Sequence, residues 1–322
     1  MTEGPYFSVV VPTFNRAESL QSTLKSILNQ SFKNLEVIVV DDGSEDNTEE
    51  VVKRFNDPRL IYIKKQNGGP LLARARGADE ARGHWIAFCD SDDLWPNNYL
   101  ELLHKTISNF RIDTIFCDYK VQGERRSRVS ELERGGFFKG LVSTKTEEVC
   151  ILDRKTFFRK LLNVQPIMIS AFAIKRSFYE KIGGIHKDLK VIGSEDSHLT
   201  LRASAIGVTA YTSKCLVDIG RGEDNVSANF IRNLEGGTKI LESILDSGHL
   251  PIYFENDLKK AIDRQFLEIA EQYYWQRDLK SALRNLNKTK VAQGRLVRKL
   301  RLLFLLALRR LQNVDRIWGA FR

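Results

Sequence analysis

At 322 residues, with 42% hydrophobic and 28% charged side chains, the chain can bury a full core and hold one large or two smaller domains. Its net charge of +9 is unevenly placed, because residues 290–322 hold nine Lys or Arg against one acid, Asp315, and so carry +8. The rest is close to neutral and the tail contains no recognition module, which argues against nucleic acid as a partner.

The first 120 residues alternate strand and helix. Phe7–Val11 reads as a continuous apolar strand, after which Asn15 offers an N-cap, with Glu18 three residues on and Leu20, Leu24, Ile27 and Leu28 at helical spacing. Leu35–Val40 is a second buried strand that ends at Asp41-Asp42-Gly43. A helix over 48–55 and a short strand, Leu60–Ile63, follow. Asn67-Gly68-Gly69-Pro70 turns into an alanine-rich helix over 71–82. Trp85–Cys89 is a fourth strand, 97–107 a helix and Thr114–Tyr119 a fifth strand. Such βαβ repetition predicts an α/β fold with a mostly parallel central sheet flanked by helices.

Residues 121–165 read as a loop-rich, charged insertion. Pattern returns at Ile167–Ile174, in a helix over 175–182, in the glycine turn Gly183-Gly184, and in a helix over 195–206 capped by Ser194. Val208–Val217 closes the sheet, and from Ala228 onward the pattern is helical. The four cysteines (Cys89, Cys117, Cys150 and Cys215) lack a CxxC or metal-finger spacing and read as reduced structural thiols. The chain enters its first strand by Phe7 with no signal-peptide pattern. Its longest apolar run, Leu302–Leu308, is far below the ~20 residues of a membrane span. The expected location is the cytoplasm or the cytoplasmic face of the membrane.

The chemistry is concentrated at strand ends. Asp90-Ser91-Asp92-Asp93 follows the fourth strand, and carboxylates crowded there repel unless a cation sits among them. Hard oxygen donors spaced Asp-x-Asp suit Mg²⁺ or Mn²⁺, and such cations suit a diphosphate. Pro12-Thr13-Phe14-Asn15-Arg16, Asp41-Asp42-Gly43-Ser44 and Ser194-Glu195-Asp196 fall at the other strand ends or the turns after them. Asp196 sits in the first turn of its helix, where the dipole favours the ionised form.

In this order and spacing, these motifs, with Trp95-Pro96 and Gly183-Gly184…Glu195-Asp196…Leu201-Arg202, resemble the family 2 glycosyltransferases of the GT-A fold, over residues 6–227. The resemblance implies an inverting, metal-dependent hexosyltransferase domain over 1–227, with 166–227 as its acceptor half and 228–322 as a helical C-terminal region. It assigns Pro12, Thr13 and Asn15 to the donor pocket, Asp42 to the nucleobase (uracil being the best match), Asp90 to the ribose, Asp92 to Mn²⁺ or Mg²⁺, and Asp196 to the general base. Glu195, Trp95 and Arg221 are candidates for acceptor or diphosphate contacts. The partners it implies are a nucleotide-sugar donor, most simply a UDP-sugar, and a glycan or lipid-linked acceptor in polysaccharide biosynthesis.

Plainer readings stand beside these. Asp41 and Asp42 can be turn residues, Asp93 a cap, Glu195 a dipole partner, Arg74 and Arg76 a solvated helix face, and Trp95 a core residue. A non-catalytic nucleotide-sugar-binding scaffold on the same fold is the alternative function, and a nucleotidyltransferase is a third. One departure concerns Gly220-Arg221-Gly222-Glu223-Asp224-Asn225-Val226-Ser227, where Gly222 takes the place of a family histidine that helps hold the metal. In the tail, Leu296, Leu300, Leu303, Ala307, Leu311, Val314 and Trp318 form a helical stripe, widened by Leu302, Leu305 and Leu306, with arginines mainly opposite. Residues 294–322 therefore read as a basic amphipathic helix, to lie on the inner membrane surface or pack on protein.

Overall fold

The structure, a computed structural model, describes residues 4–146, 148–189, 195–220, 230–289, 298–299 and 302–307. The chain divides into two compact units, one of Met1–Leu189 with Asp196–Asn225 and one of the remaining residues.

The first unit is built on a nine-stranded sheet of order β3-β2-β1-β4-β8-β5-β9-β7-β6. Strands β1 (Phe7–Thr13), β2 (Leu35–Asp41), β3 (Leu60–Lys64) and β4 (Trp85–Phe88) are joined through helices α1 (Ala17–Leu28), α2 (Thr48–Lys53) and α3 (Pro70–Glu80), and their pairings are all parallel. Every residue of β1, β2 and β4 is buried, as strands covered on both faces must be. Each Val or Ile there gains roughly 1.5–3 kcal/mol from leaving water. Helix α3 lies directly on the sheet at Gly77, where an added Cβ would stand 2.4 Å from a Val10 methyl.

Beyond β4 the sheet becomes mixed. After α4 (Tyr99–Asn109) and β5 (Thr114–Val121), β8 (Phe172–Lys175) inserts antiparallel between β4 and β5, while β9 (Thr209–Ile219) runs parallel to β5. The expected mostly parallel sheet is thus parallel in its first half and divided in its second. The segment 121–165 is also more regular than expected. It holds α5 (Arg128–Arg134), an antiparallel pair β6 (Val142–Lys145) and β7 (Val149–Leu152) added to the edge at β9, and α6 (Arg154–Leu161). Its helices are anchored by carboxylates: Asp118 accepts the Val129 N–H at 2.9 Å and the Ser130 N–H at 3.2 Å, and Asp153 accepts the Thr156 N–H at 2.9 Å. The unit's remaining helices are α7 (Arg176–Lys181) and α8 (Asp196–Ile206). Cys89 and Cys117 are buried and Cys150 is half-buried, and none of the three is in a disulfide.

In the second unit, α9 (Phe230–Asp246), α10 (Glu255–Trp275) and α11 (Leu279–Lys288) account for most of the described residues. Leu267, Ala270, Tyr274, Ala282 and Leu286 form a core with Leu302 and Leu306 from the helical residues 302–307. Leu303 and Phe304 are exposed, so the buried face is that of Leu302 and Leu306, expected only to widen the stripe. Arg298, expected on a free basic face, pairs with Glu271 at 2.5 Å. The rest of the expected tail helix lies largely outside the described residues. No helix among them is long and apolar enough to cross a membrane.

Candidate active site

Three loops meet at the carboxyl ends of β1, β2 and β4, where a parallel sheet presents ligand-binding residues. Pro12 is a buried β1 residue in register with Val40 of β2. Next to it, the Thr13 carbonyl accepts the Asp42 N–H at 2.8 Å, and the Thr13 hydroxyl is buried with no hydrogen-bond partner in the protein. Asn15 adopts φ 50°, a left-handed conformation that asparagine tolerates. Its N–H donates to Ser44 Oγ at 2.9 Å, and its Oδ1 accepts the Glu45 N–H at 2.8 Å. The expected N-cap at Asn15 is therefore corrected: Asp46 Oδ2 accepts the Ala17 N–H at 3.0 Å, which leaves Asn15 free to bind the β2 loop.

Asp41 is the last residue of β2, and its side chain anchors the turn that follows. Its Oδ1 accepts the Ser44 N–H at 2.7 Å and its Oδ2 the Tyr62 hydroxyl at 2.5 Å; burial, then this carboxylate, push the Tyr62 phenol upward. Asp42 is buried, and it accepts the Gly69 N–H at 2.6 Å, the Gly68 N–H at 3.0 Å and the Lys65 ammonium. Gly69, at φ 90°, immediately precedes α3, so the Asp42 carboxylate lies at that helix's N-terminus.

Each carboxylate of the Asp-x-Asp pair has its own guanidinium. Asp90 Oδ1 lies 2.7 Å from Arg74 Nη2, and Asp92 Oδ2 lies 2.8 Å from Arg16 Nη1. Arg74 is thus not on a solvated face, whereas Arg76 pairs at the surface with Glu80 at 2.7 Å. Burial raises the Asp92 carboxyl above the usual range, with Arg16 opposing and Asp90 adding to the rise. Asp93 turns inward: it accepts the Gly220 N–H at 2.9 Å, and burial, followed by the charge of Asp90, pushes it well up. Ser170 completes the frame, with its Oγ accepting the Asp90 N–H at 2.9 Å.

Trp95 is a core residue. Its Nε1 donates to the Ser170 carbonyl at 2.9 Å, its ring packs 4.3 Å from that of Tyr99, and it is 3% exposed.

Asp196 opens α8, and Glu195 precedes it; both are half-buried. Tyr119 of β5 lies within the field of Asp196: burial lifts its phenol to about 12, and Asp118 and Asp196 add to this against Arg128. Helix α8 is fixed by Arg202, fully buried, which donates to the Ile182 carbonyl at 2.6 Å, the His198 carbonyl at 3.2 Å and the Gly184 carbonyl. Ser194, Arg221, Gly222, Glu223 and Asp224 lie outside the described residues.

Sequence reasoning missed Lys65, Ser170, Gly220 and the roles of Arg16 and Arg74. Gly220 shows its role only in three dimensions, where an added Cβ would stand 2.3 Å from the Asp92 carbonyl oxygen. That close approach is secured by the pairing of Leu94 with Asp218, whose N–H···O bonds are 2.9 and 3.0 Å.

Among the described residues, no three His, Cys, Asp or Glu form a metal cage. Two hard carboxylates at one strand end are the donor set that Mg²⁺ or Mn²⁺ uses when substrate phosphates complete the shell, so the residues fit such a shared cation.

The model of glycosyl transferase family 2 matches residues 8–183. A GalNAc(5)-diNAcBac-PP-undecaprenol beta-1,3-glucosyltransferase of Campylobacter jejuni is 46% identical over 226 residues, spanning 64% of this chain and 71% of that protein. Glycosyltransferase GlyA of Streptococcus pneumoniae is 38% identical over 114 residues, 35% of this chain, and an uncharacterized glycosyltransferase of Rickettsia felis is 29% identical over 224 residues, 66% of this chain. The chain spans only 16% and 37% of the length of these two relatives. Among solved structures, Staphylococcus aureus TarS 1–349 with UDP-GlcNAc superposes with a TM-score of 0.60 at 17% identity, covering 86% of this chain and 89% of that one. Mannosyltransferase PcManGT of Pyrobaculum calidifontis, with GDP-Man and Mn²⁺, gives 0.59 at 21% identity, covering 99% and 84%. With the family model covering more than half its length and the mixed sheet matching these folds, the chain belongs to the family 2 glycosyltransferases of the GT-A fold.

Proposed function

We propose that the protein is an inverting, metal-dependent hexosyltransferase that moves a sugar from a UDP-sugar to a hydroxyl of a glycan or lipid-linked acceptor in polysaccharide assembly. The observation that carries this reading is the meeting of the Thr13, Asp42 and Asp90–Asp92 loops at the carboxyl ends of three adjacent parallel strands. The UDP-GlcNAc complex of TarS, the GDP-Man and Mn²⁺ complex of PcManGT and the undecaprenol-linked name of the Campylobacter relative support the donor, cation and acceptor classes.

Pro12 and Thr13 form the donor wall, where the orphan Thr13 hydroxyl supplies a donor or acceptor to the nucleoside. Asp42 has about four lone-pair positions. Lys65, Gly68 and Gly69 make four contacts with them, the Gly68 N–H bridging both oxygens at 3.0 and 3.2 Å, so an N–H of the base would take the place of the longer Gly68 contact. Asp92, with Asp90 beside it, would hold Mn²⁺ or Mg²⁺, whose charge, when bound, favours departure of the diphosphate. Asp196 takes the proton of the acceptor hydroxyl as that oxygen attacks the anomeric carbon. Attack from the face opposite the leaving group requires one base and inverts the centre.

Calorimetric titration with UDP, GDP, TDP and CDP, each with and without Mn²⁺, tests the donor side. Metal-dependent binding of UDP alone is expected; tighter binding of another nucleotide refutes the donor assignment. Asp196→Asn should retain UDP binding and lose transfer by about 10²–10⁴-fold, the range of general-base catalysis. Near-normal transfer by this variant refutes the base. Asp92→Ala should weaken only the metal-dependent part of UDP binding.

A further inference from the structure

The two guanidinium groups at the Asp-x-Asp pair differ in freedom. Arg74 comes from α3, and its side chain is 9% exposed. Arg16 comes from the loop between β1 and α1, and its side chain is 31% exposed, against an Asp92 side chain that is 18% exposed. Arg74 is a fixed part of the frame. Arg16, at the surface on a flexible stem, can leave Asp92 without uncovering the core.

A guanidinium and a divalent cation on the same Asp92 carboxylate would face each other as like charges in a partly desolvated site, where repulsion is stronger than in water. Resting on the glycosyltransferase reading above, we propose that Arg16 is the resident counterion of Asp92: it holds the carboxylate in the metal-free protein, leaves it when the cation enters, and pairs with the diphosphate that arrives with the cation. A cation entering alone costs an ion pair and leaves Arg16 without an anion. A cation entering with a diphosphate gives Arg16 a partner suited to bidentate binding. Arg16 thereby couples the two ligands, and linkage makes the coupling reciprocal: it favours UDP in the presence of Mn²⁺ as much as Mn²⁺ in the presence of UDP.

The test is Mn²⁺ binding by the full chain, followed through loss of the free-ion electron paramagnetic resonance signal, with Mn²⁺ alone and with saturating UDP. Wild type, Arg16→Gln and Arg16→Lys are compared, with circular dichroism to verify folding. Arg16→Gln should bind Mn²⁺ alone about tenfold more tightly than wild type, and the gain in Mn²⁺ affinity on adding UDP should shrink about tenfold. Arg16→Lys keeps the charge and should behave more like wild type in both measurements. If the wild type binds Mn²⁺ with UDP but Arg16→Gln shows unchanged affinity for Mn²⁺ alone, or an undiminished gain from UDP, the role of Arg16 is overturned and the function stands. A wild type that takes up no Mn²⁺ even with UDP overturns both.

Discussion

Gly220 makes one residue of β9's end responsible for the geometry of a carboxylate 128 positions earlier. Its N–H is given to Asp93, and its missing side chain lets the backbone pass against the Asp92 carbonyl, where a methyl would stand 2.3 Å from the oxygen. Since that neighbour is backbone, it cannot turn aside as a side-chain tip would. Gly220→Ala should therefore cost about 1–3 kcal/mol, the usual range for inserting a methyl into packed space. It should also weaken Mn²⁺-dependent UDP binding, because relief requires moving the Asp90–Asp93 turn. Denaturant unfolding and nucleotide titration of the same sample measure both effects. Wild-type stability with wild-type binding would mean that the turn yields freely and does not depend on this contact.

At the scale of elements, the N-terminal strands were legible because burial on both faces demands continuous apolar runs such as Val9-Val10-Val11 and Val37-Ile38-Val39-Val40. The β6–β7 pair was not, because strands of four residues with an exposed Ser143-Thr144-Lys145 edge have the composition of a loop. Strand direction is not carried by apolar content either, so the antiparallel insertion of β8 could not be read. The same holds at the site. The carboxylates announce themselves at strand ends, but their partners lie far along the chain, 16 residues away for Arg74 and Asp90 and 127 for Asp93 and Gly220. Helix α8 adds a consequence visible only in three dimensions. Burial, then the charges of Arg202 and His186, lower His198 from 6.5 to about 3. Between those values the unfolded imidazole binds a proton that the folded one refuses, so stability is full above pH 6.5 and falls as pH drops toward 3. At about 1.36 kcal/mol per unit the whole effect is at most ~5 kcal/mol. His198→Phe should reduce the rise of stability with pH between about pH 4.5 and 6.5, above the ordinary carboxylate range, where the raised Asp92 and Asp93 carboxyls act with the opposite sign. An unchanged slope there would assign the acid sensitivity to other groups.

For the whole molecule, the telling quantity is where its charge sits, since +8 of the net +9 belongs to residues 290–322. The described part of that segment already uses some of it within the second unit: Arg298 is bound to Glu271, and Lys299 Nζ donates to the Thr289 carbonyl at 2.9 Å. Leu302 and Leu306 are likewise spent on the α10–α11 core, whereas Leu303 at 36% and Phe304 at 63% exposure remain outside it. Two exposed apolar side chains among arginines form a pattern that anionic lipid can take up, with about 1 kcal/mol from each basic residue near the surface and a further gain from apolar burial. Co-sedimentation should accordingly show binding to vesicles containing phosphatidylglycerol at low salt, little to phosphatidylcholine alone, and loss at about 0.5 M salt, where screening acts within a few ångströms. Leu303→Ser combined with Phe304→Ser should reduce the low-salt binding about tenfold without changing unfolding, because neither side chain belongs to the core. Equal binding by wild type and this variant would leave attraction through the basic residues alone, and no binding to anionic vesicles would assign the tail to protein packing, as Leu302 and Leu306 already are.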